Sequence, residues 1–354
     1  NIAIKNNENK VLDVDAGLNE NGTNVQIWDF ISVNHQIFKI EYIDDTYCKI
    51  IARHSNKVLT VKEGNVIQSE YNGTDDQLWS FEIAGDGYYK VKSKLTNSYL
   101  DIAGNETVNG TNVQVYTGNT SNAQKFKFKE LSIKYGIDVS VYNGNINWSE
   151  VRKSGQVDYT IIRAGYRGFV TGKIVTDGKF ERNVKEATKN GIDIGLYFFT
   201  QAVNEQEAVE EANYVLDLVR KYDVNVRYPI IIDTEYSTSK TNGVLDYEGR
   251  ADQLDVATRT AVCRAFCDTI RNAGYIPAVY ASKYWFYEKL DVNQLNSYDI
   301  WVAHYTGSVD KLTDYKYRYN MWQYTSSGSI PGVYAPSENG KVNVDISICY
   351  KKYW

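Results

Sequence analysis

The spacing of hydrophobic residues changes near position 131. Before it they come in short runs separated by Asn- and Gly-rich turns. After it, longer apolar runs alternate with segments of helical period. The first texture repeats itself. Leu12-Asp13-Val14, Leu59-Thr60-Val61 and Leu100-Asp101-Ile102 resemble one another, and each is followed by a Gln-x-aromatic: Gln36-Ile37-Phe38, Gln77-Leu78-Trp79 and Gln124-Lys125-Phe126. Gly-Thr-Asn-Val-Gln occurs at both 22–26 and 110–114. Three short-stranded units of about 40 residues predict an all-β threefold domain over 1–131, its core shared by the Gln-x-aromatic side chains.

Residues 132–354 read differently. The apolar runs predict strands at 135–142, 159–166, 193–200, 228–236, 276–282, 299–305, 319–325 and 343–350. A helix over 205–222 places Ala208, Ala212, Val215 and Val219 on one face, with acids early and Arg220-Lys221 late, in keeping with the helix dipole. A second runs from about Gln253 to Asn272. Eight strands with intervening helices predict a parallel (β/α), TIM-like barrel whose later connections are short and irregular. The chain is therefore multidomain, an all-β unit followed by an α/β barrel.

Candidate chemistry sits at strand ends. Tyr-Pro-Ile-Ile-Ile-Asp-Thr-Glu-Tyr (228–236) carries Asp233 and Glu235 after an apolar run typical of a strand covered on both faces. Side chains two apart on a strand point the same way, so both acids enter one space where barrels keep their active sites. Alone, a D-x-E is equally a charged strand end facing water. Asp138 on the first strand and Asp345 on the last, adjacent once the barrel closes, supply two further acids. Arg163, Tyr166, Tyr197, Tyr280, Trp301, Tyr305, Trp322 and Gln323 lie at neighbouring strand ends and are candidates to line a groove.

Composition narrows the ligand. Net charge is only −5, with no Lys/Arg run to suggest nucleic acid or an anionic membrane. Thirty Tyr and seven Trp favour a partner with apolar faces and polar rims, such as a sugar. Cys48, Cys263, Cys267 and Cys349 lack metal-ligand spacing and read as small core residues. No cofactor is implied, because no ligand cluster is visible and general acid/base work by carboxyl groups needs none.

From 133 onward the chain resembles the family 25 glycoside hydrolases, the N-acetylmuramidase lysozymes. The resemblance rests on Gly-Ile-Asp-Val-Ser (136–140), Ile-Ile-Arg-Ala-Gly-Tyr (161–166), Gly-Leu-Tyr-Phe-Phe (195–199), Ile-Asp-Thr-Glu (232–235), Trp-Val-Ala-His-Tyr (301–305), Met-Trp-Gln-Tyr-Thr (321–325) and Val-Asp-Ile-Ser (344–347). His304 and Ser347 depart from what such sequences often carry. The resemblance implies cleavage of the β-1,4 bond from N-acetylmuramic acid to N-acetylglucosamine. Glu235 is then the general acid, and Asp233 is expected to stay ionised and orient the 2-acetamido group, or to attack carbon directly. Asp138 and Asp345 would shape the charge of the site.

Residues 1–131 resemble the ricin B-type lectin β-trefoil. This implies sugar sites at Asp13, Gln26, Trp28, His35 and Gln36 in the first lobe and at Asp101, Gln114 and Tyr116 in the third. Thr60 replaces the acid in the second. The expected partners are peptidoglycan and a wall or surface carbohydrate, met outside the cell by an export route the sequence leaves open. A non-catalytic carbohydrate-binding protein and a chitinase-like glycosidase are the alternatives.

Overall fold

The computed structural model describes residues 1–31, 33–131, 133–237, 239–241, 244–309, 311–334 and 343–353. The chain divides into two compact units, Asn1–Leu131 and Ser132–Trp354.

In the first unit twelve strands join in one hydrogen-bonded sheet. Each repeated Leu-x-Val/Ile lies on the first arm of a hairpin: Asn7–Val14 with Val25–Asp29, Val58–Lys62 with Asn65–Ser69, Tyr99–Ile102 with Val113–Tyr116. The Gln-x-aromatic follows on a short 3-10 turn. Trp79 and Phe126 enter the shared core and Phe38 packs against it. The glutamines are buried, and their amides make the same bonds three times. The side-chain carbonyls of Gln36, Gln77 and Gln124 accept from Ile31, Asn72 and Asn119 N–H at 2.9, 2.8 and 3.0 Å. Their Nε2 groups donate to the carbonyls of Asp29, Glu70 and Thr117 at 2.9, 2.8 and 3.0 Å. The repeat thus encodes one turn-closing device per lobe.

The second unit is an eight-stranded barrel: β1 (Lys134–Val139), β2 (Tyr159–Arg167), β3 (Asp193–Phe199), β4 (Val226–Asp233), β5 (Pro277–Ser282), β6 (Asp299–Ala303), β7 (Met321–Gly328) and β8 (Val344–Cys349). The strands β1 to β7 run parallel in chain order. Among the described residues the α-helices are α1 (Trp148–Ser154), α2 (Phe180–Lys189), α3 (Glu205–Tyr222), α4 (Val256–Asn272) and α5 (Lys283–Glu288), and none follows β6. The expected face of α3 is buried, with Asn204 capping its start by accepting the Glu207 N–H.

The expectation of a fully parallel barrel needs correction. The last strand, β8, is antiparallel to both β7 and β1, and it closes the ring. Because β8 pairs antiparallel with β7, the end of β7 and the beginning of β8 lie at the same mouth of the barrel.

Inward positions alternate along each strand. Low in the lumen Tyr159 and Tyr228 stack at 4.1 Å between centroids, among Ile161, Ile231, Ala278, Met321 and Cys349. Two glycines make room for the tyrosines. A Cβ on Gly136 would lie 2.3 Å from the Tyr159 ring, and one on Gly195 2.8 Å from both the Pro229 carbonyl oxygen and the Tyr228 Cβ. All four cysteines are buried and unpaired. Gly136→Ala should destabilise the barrel by about 1–3 kcal/mol through overpacking. Urea unfolding measures this, and unchanged stability would contradict the lumen packing described.

Candidate active site

Above this apolar plug the inward positions turn polar. Asp138 on β1, Arg163 on β2, Tyr197 on β3, Asp233 on β4, Tyr280 on β5, Trp301 on β6, Gln323 on β7 and Asp345 on β8 continue the inward rows of their strands. They border a cleft of about 660 Å³ that leads into an inner pocket of about 140 Å³, the two sharing Tyr197, Asp233, Glu235 and Asp345. Strand β4 ends at Asp233, so Glu235 stands on the segment just beyond it. The two acids meet in one space as expected.

Asp345 reaches the mouth for a reason the sequence did not suggest. It sits near the beginning of β8, directly opposite Asp138 in the antiparallel register. Four carboxyl groups therefore crowd one rim. Burial raises the Asp138 carboxyl well above the usual carboxylate range, with the Asp345 charge adding to it, and the Gln323 amide opposes the shift. Burial first and the Asp345 charge second push Glu235 up to about 7. Burial pushes Asp345 up to about 6.

Asp233 behaves otherwise than expected. Burial, then the Glu235 and Asp138 charges, raise it well above its ordinary value, so it favours the proton rather than the charge. Its Oδ1 is buried and accepts no hydrogen bond from the described residues.

The inner wall is hydrogen-bonded. Gln323 Nε2 donates to Asp138 Oδ2 at 2.8 Å, while Gln323 Oε1 accepts from the Tyr280 and Tyr305 hydroxyls at 2.8 and 2.9 Å. Trp301 packs 4.5 Å from Tyr280 and donates its indole N–H to Ser347 Oγ at 3.0 Å. Ser347, one of the two departures noted in the sequence, thus satisfies a buried donor. The other, His304, offers its carbonyl to the Trp322 indole N–H at 2.9 Å.

Trp322 is a correction. It is fully buried and absent from the cleft, because it alternates with the inward-facing Gln323 and so points away from the lumen.

The outer cleft adds residues that strand-end reasoning missed. Tyr166 lines it as expected, together with Ser140, Tyr142, Asn143, Phe169, Ser237 and Asn343. These six come from connecting segments, where no period marks them, and Phe199 at the end of β3 joins them. The Phe169 loop is tied down by Arg250, whose backbone N–H donates to the Phe169 carbonyl at 3.1 Å. The Arg250 guanidinium grips Glu207 on α3 at 2.7 and 2.9 Å.

In the first unit, Asp13 accepts from Gln26 at 3.2 Å and Gln36 at 2.9 Å, with His35 at 3.4 Å. Asp101 accepts from Gln114 at 3.1 Å and Gln124 at 3.0 Å. Gln36 is fully buried and its amide is used, so it positions Asp13 rather than offering itself to a sugar. Trp28 and Tyr116 are exposed on the strands carrying Gln26 and Gln114. In the second lobe Gln77 donates to Thr60 Oγ1 at 3.3 Å in place of a carboxylate.

The family model of glycosyl hydrolases family 25 matches residues 137–333, and that of the ricin-type beta-trefoil lectin domain-like family matches 2–74 and 75–162. Lysozyme M1 of Streptomyces globisporus is 25% identical over 213 residues, covering 59% of this chain and 67% of its own. The lysozyme of Streptococcus phage Cp-7 is 32% identical over 143 residues, 38% of this chain and 36% of that protein. The modular autolysin LytC of Streptococcus pneumoniae, 25% identical, superposes with a TM-score of 0.51 over 91% of this chain and 60% of that one. LytC is also known in complex with a synthetic peptidoglycan ligand, with a TM-score of 0.51 over 84% of this chain and 66% of that one.

Removing the like charge on Asp345 should let Glu235 ionise at lower pH. Asp345→Asn is expected to move the alkaline limb of the pH–activity profile downward. The same carboxyls bind protons in the folded protein at pH values where unfolded Asp and Glu, near 4, have lost them. Stability contributed by the cluster is therefore lost as pH rises from about 4.5 towards 7, and Asp345→Asn should raise the melting temperature at pH 7. A profile and melting temperature both unmoved would contradict the coupling. With its matched model spanning more than half its length, the chain belongs to the glycosyl hydrolases of family 25.

Proposed function

We propose that this lysozyme-type glycoside hydrolase cuts the β-1,4 bond between N-acetylmuramic acid and N-acetylglucosamine in peptidoglycan, with Glu235 as the general acid. The observation that carries the reading is Glu235 held at about 7 in the cleft that Asp233 also lines. A general acid must keep its proton near working pH while remaining able to give it up. Glu235 meets that condition, and activity should fall as pH rises through about 7.

Asp233 takes the second role. Its buried, unpartnered Oδ1 is an acceptor in wait. The N–H of a substrate 2-acetamido group supplies the missing donor, which favours the carboxylate and aims the acetamido oxygen at the anomeric carbon. That carbon then bonds to the acetamido oxygen as its bond to the leaving oxygen breaks, with the Glu235 proton going to the leaving group. Water later opens the resulting ring. A nucleophilic role also needs an ionised Asp233, but it brings no donor like the acetamido N–H to favour that form of a carboxyl that holds its proton. Asp345 supplies the charge against which Glu235 titrates, and Asp138 is held beside it by Gln323.

The substrate class is supported by the family and by its relatives, lysozymes and an autolysin bound to a peptidoglycan ligand. The trefoil unit supports wall targeting through its first and third lobes, where Trp28 and Tyr116 offer rings beside Asp13 and Asp101 for stacking on a sugar. Action is then at the bacterial cell wall. No helix among the described residues is long and apolar enough to cross a membrane.

Glu235→Gln should lower the rate of wall clearing by about 10²–10⁴-fold while wall binding persists. Clearing at the original rate would remove Glu235 from its role. In that inactive background, Trp28→Ala combined with Tyr116→Ala should weaken co-sedimentation with purified walls by roughly 3–10-fold per stacking site. Undiminished binding would leave the trefoil without a wall-targeting function through these lobes.

A further inference from the structure

Arg163 is the one cation lining the cleft among the described residues, and most of its hydrogen-bonding capacity is unused. The residue is only 9% exposed. Its Nε donates to Asp177 Oδ2 at 2.7 Å. Asp177 is itself fixed, accepting the backbone N–H groups of Val141 at 3.0 Å and Lys179 at 2.8 Å. The rings of Tyr142 and Tyr166 stand 5.0 and 5.6 Å from the guanidinium carbon and hold its plane. A guanidinium carries five N–H donors, and only the one on Nε is engaged with a described residue. Its terminal nitrogens are not buried away from solvent but face the cleft, where a ligand can take the place of water.

The position of this fork is specific. Arg163 pairs in register with Tyr197, and β3 lies between β2 and β4, where Asp233 stands. Two strand spacings, roughly 10 Å of backbone, separate Arg163 from Asp233, and both side chains lean into the same cleft. A sugar whose 2-acetamido group rests on Asp233 presents its neighbouring 3-oxygen substituent to one side of that contact. In N-acetylmuramic acid this substituent is a lactyl ether ending in a carboxyl group; in N-acetylglucosamine it is a bare hydroxyl. Among the residues lining the cleft Arg163 alone is a cation, so a substrate carboxylate is best accommodated beside it.

We propose that the terminal nitrogens of Arg163 receive the 3-O-lactyl carboxyl oxygens of that sugar, making Arg163 the residue that selects muramic acid over glucosamine. The proposal rests on the muramidase reading. A planar guanidinium matches a carboxylate with two parallel bonds, which an ammonium cannot do. When a stem peptide occupies the lactyl group one carbonyl oxygen remains to accept, so peptide-free glycan depends on Arg163 most.

The test is binding of two probes to Glu235→Gln protein: a peptide-free tetrasaccharide of alternating N-acetylglucosamine and N-acetylmuramic acid, and chitotetraose. Arg163→Lys keeps a cation for Asp177 but removes the fork, and Arg163→Gln serves as a second variant; thermal unfolding verifies that each is folded. Affinity for the muramyl probe should fall by about 10–100-fold. The preference for it over chitotetraose should collapse. A preference that survives, or equal losses for both probes, would overturn the proposal. Steady-state cleavage of peptide-free glycan by Arg163→Lys alone gives an independent readout: a raised KM supports it, and a fall confined to kcat contradicts it. Release by the wild-type protein of a reducing end other than muramic acid would instead remove the muramidase reading itself.

Discussion

Closure of the barrel by an antiparallel last strand is the constraint on which the site depends. Because β8 runs against β1, Asp345 near its beginning meets Asp138 near the end of β1. That register forces two carboxyl groups together at the rim where β4 already delivers Asp233 and the chain beyond it Glu235. Like charges in a buried space cannot all persist, so the cluster retains protons at a pH where isolated carboxyls lose them. The arrangement is unfavourable for folding at neutral pH and favourable for acid catalysis, a pattern expected where function and stability compete.

Rigid support makes that crowding tolerable. The lumen below the acids is filled by the stacked Tyr159 and Tyr228, admitted by glycines on β1 and β3. Above them Gln323 links Asp138 to the hydroxyls of Tyr280 and Tyr305, so an acid from β1 is fixed by residues from β5, β7 and the segment after β6. The acids stand on or next to strands, while the residues lining the outer cleft stand largely on connecting segments. The acids are thereby held still, and the lining of the outer cleft is left to the loops.

Much of this was legible in the chain. The eight strands could be read from apolar runs, and Asp138, Arg163, Tyr197, Tyr280 and Gln323, named from their places at strand ends, do line the cleft and its inner pocket. The direction of the last strand was not legible, because alternation is the same in either sense; Asp345 reaches the rim from a strand expected to run the other way. Trp322 was misplaced because its aromatic character was weighed above its parity with Gln323. The protonation preference of Asp233 depends on burial and on three neighbouring carboxyls brought together only by the fold. Tyr142 and Phe169 lie in irregular segments, where periodicity carries no signal. In the trefoil the repeated glutamines read as core and sugar contacts, yet in all three lobes they close a turn, a bond pattern visible only once both ends of the turn are placed.

The central claim is that Glu235 donates its proton to the glycosidic oxygen as that oxygen leaves the anomeric carbon of N-acetylmuramic acid. The most direct measurement digests purified peptidoglycan with the full chain, reduces the products with borohydride and identifies the reduced terminal sugar by mass spectrometry. Reduced muramic acid, formed by the wild-type protein and absent with Glu235→Gln, is the predicted result. Reduced glucosamine at the new ends, or equal release by both proteins, would contradict the account.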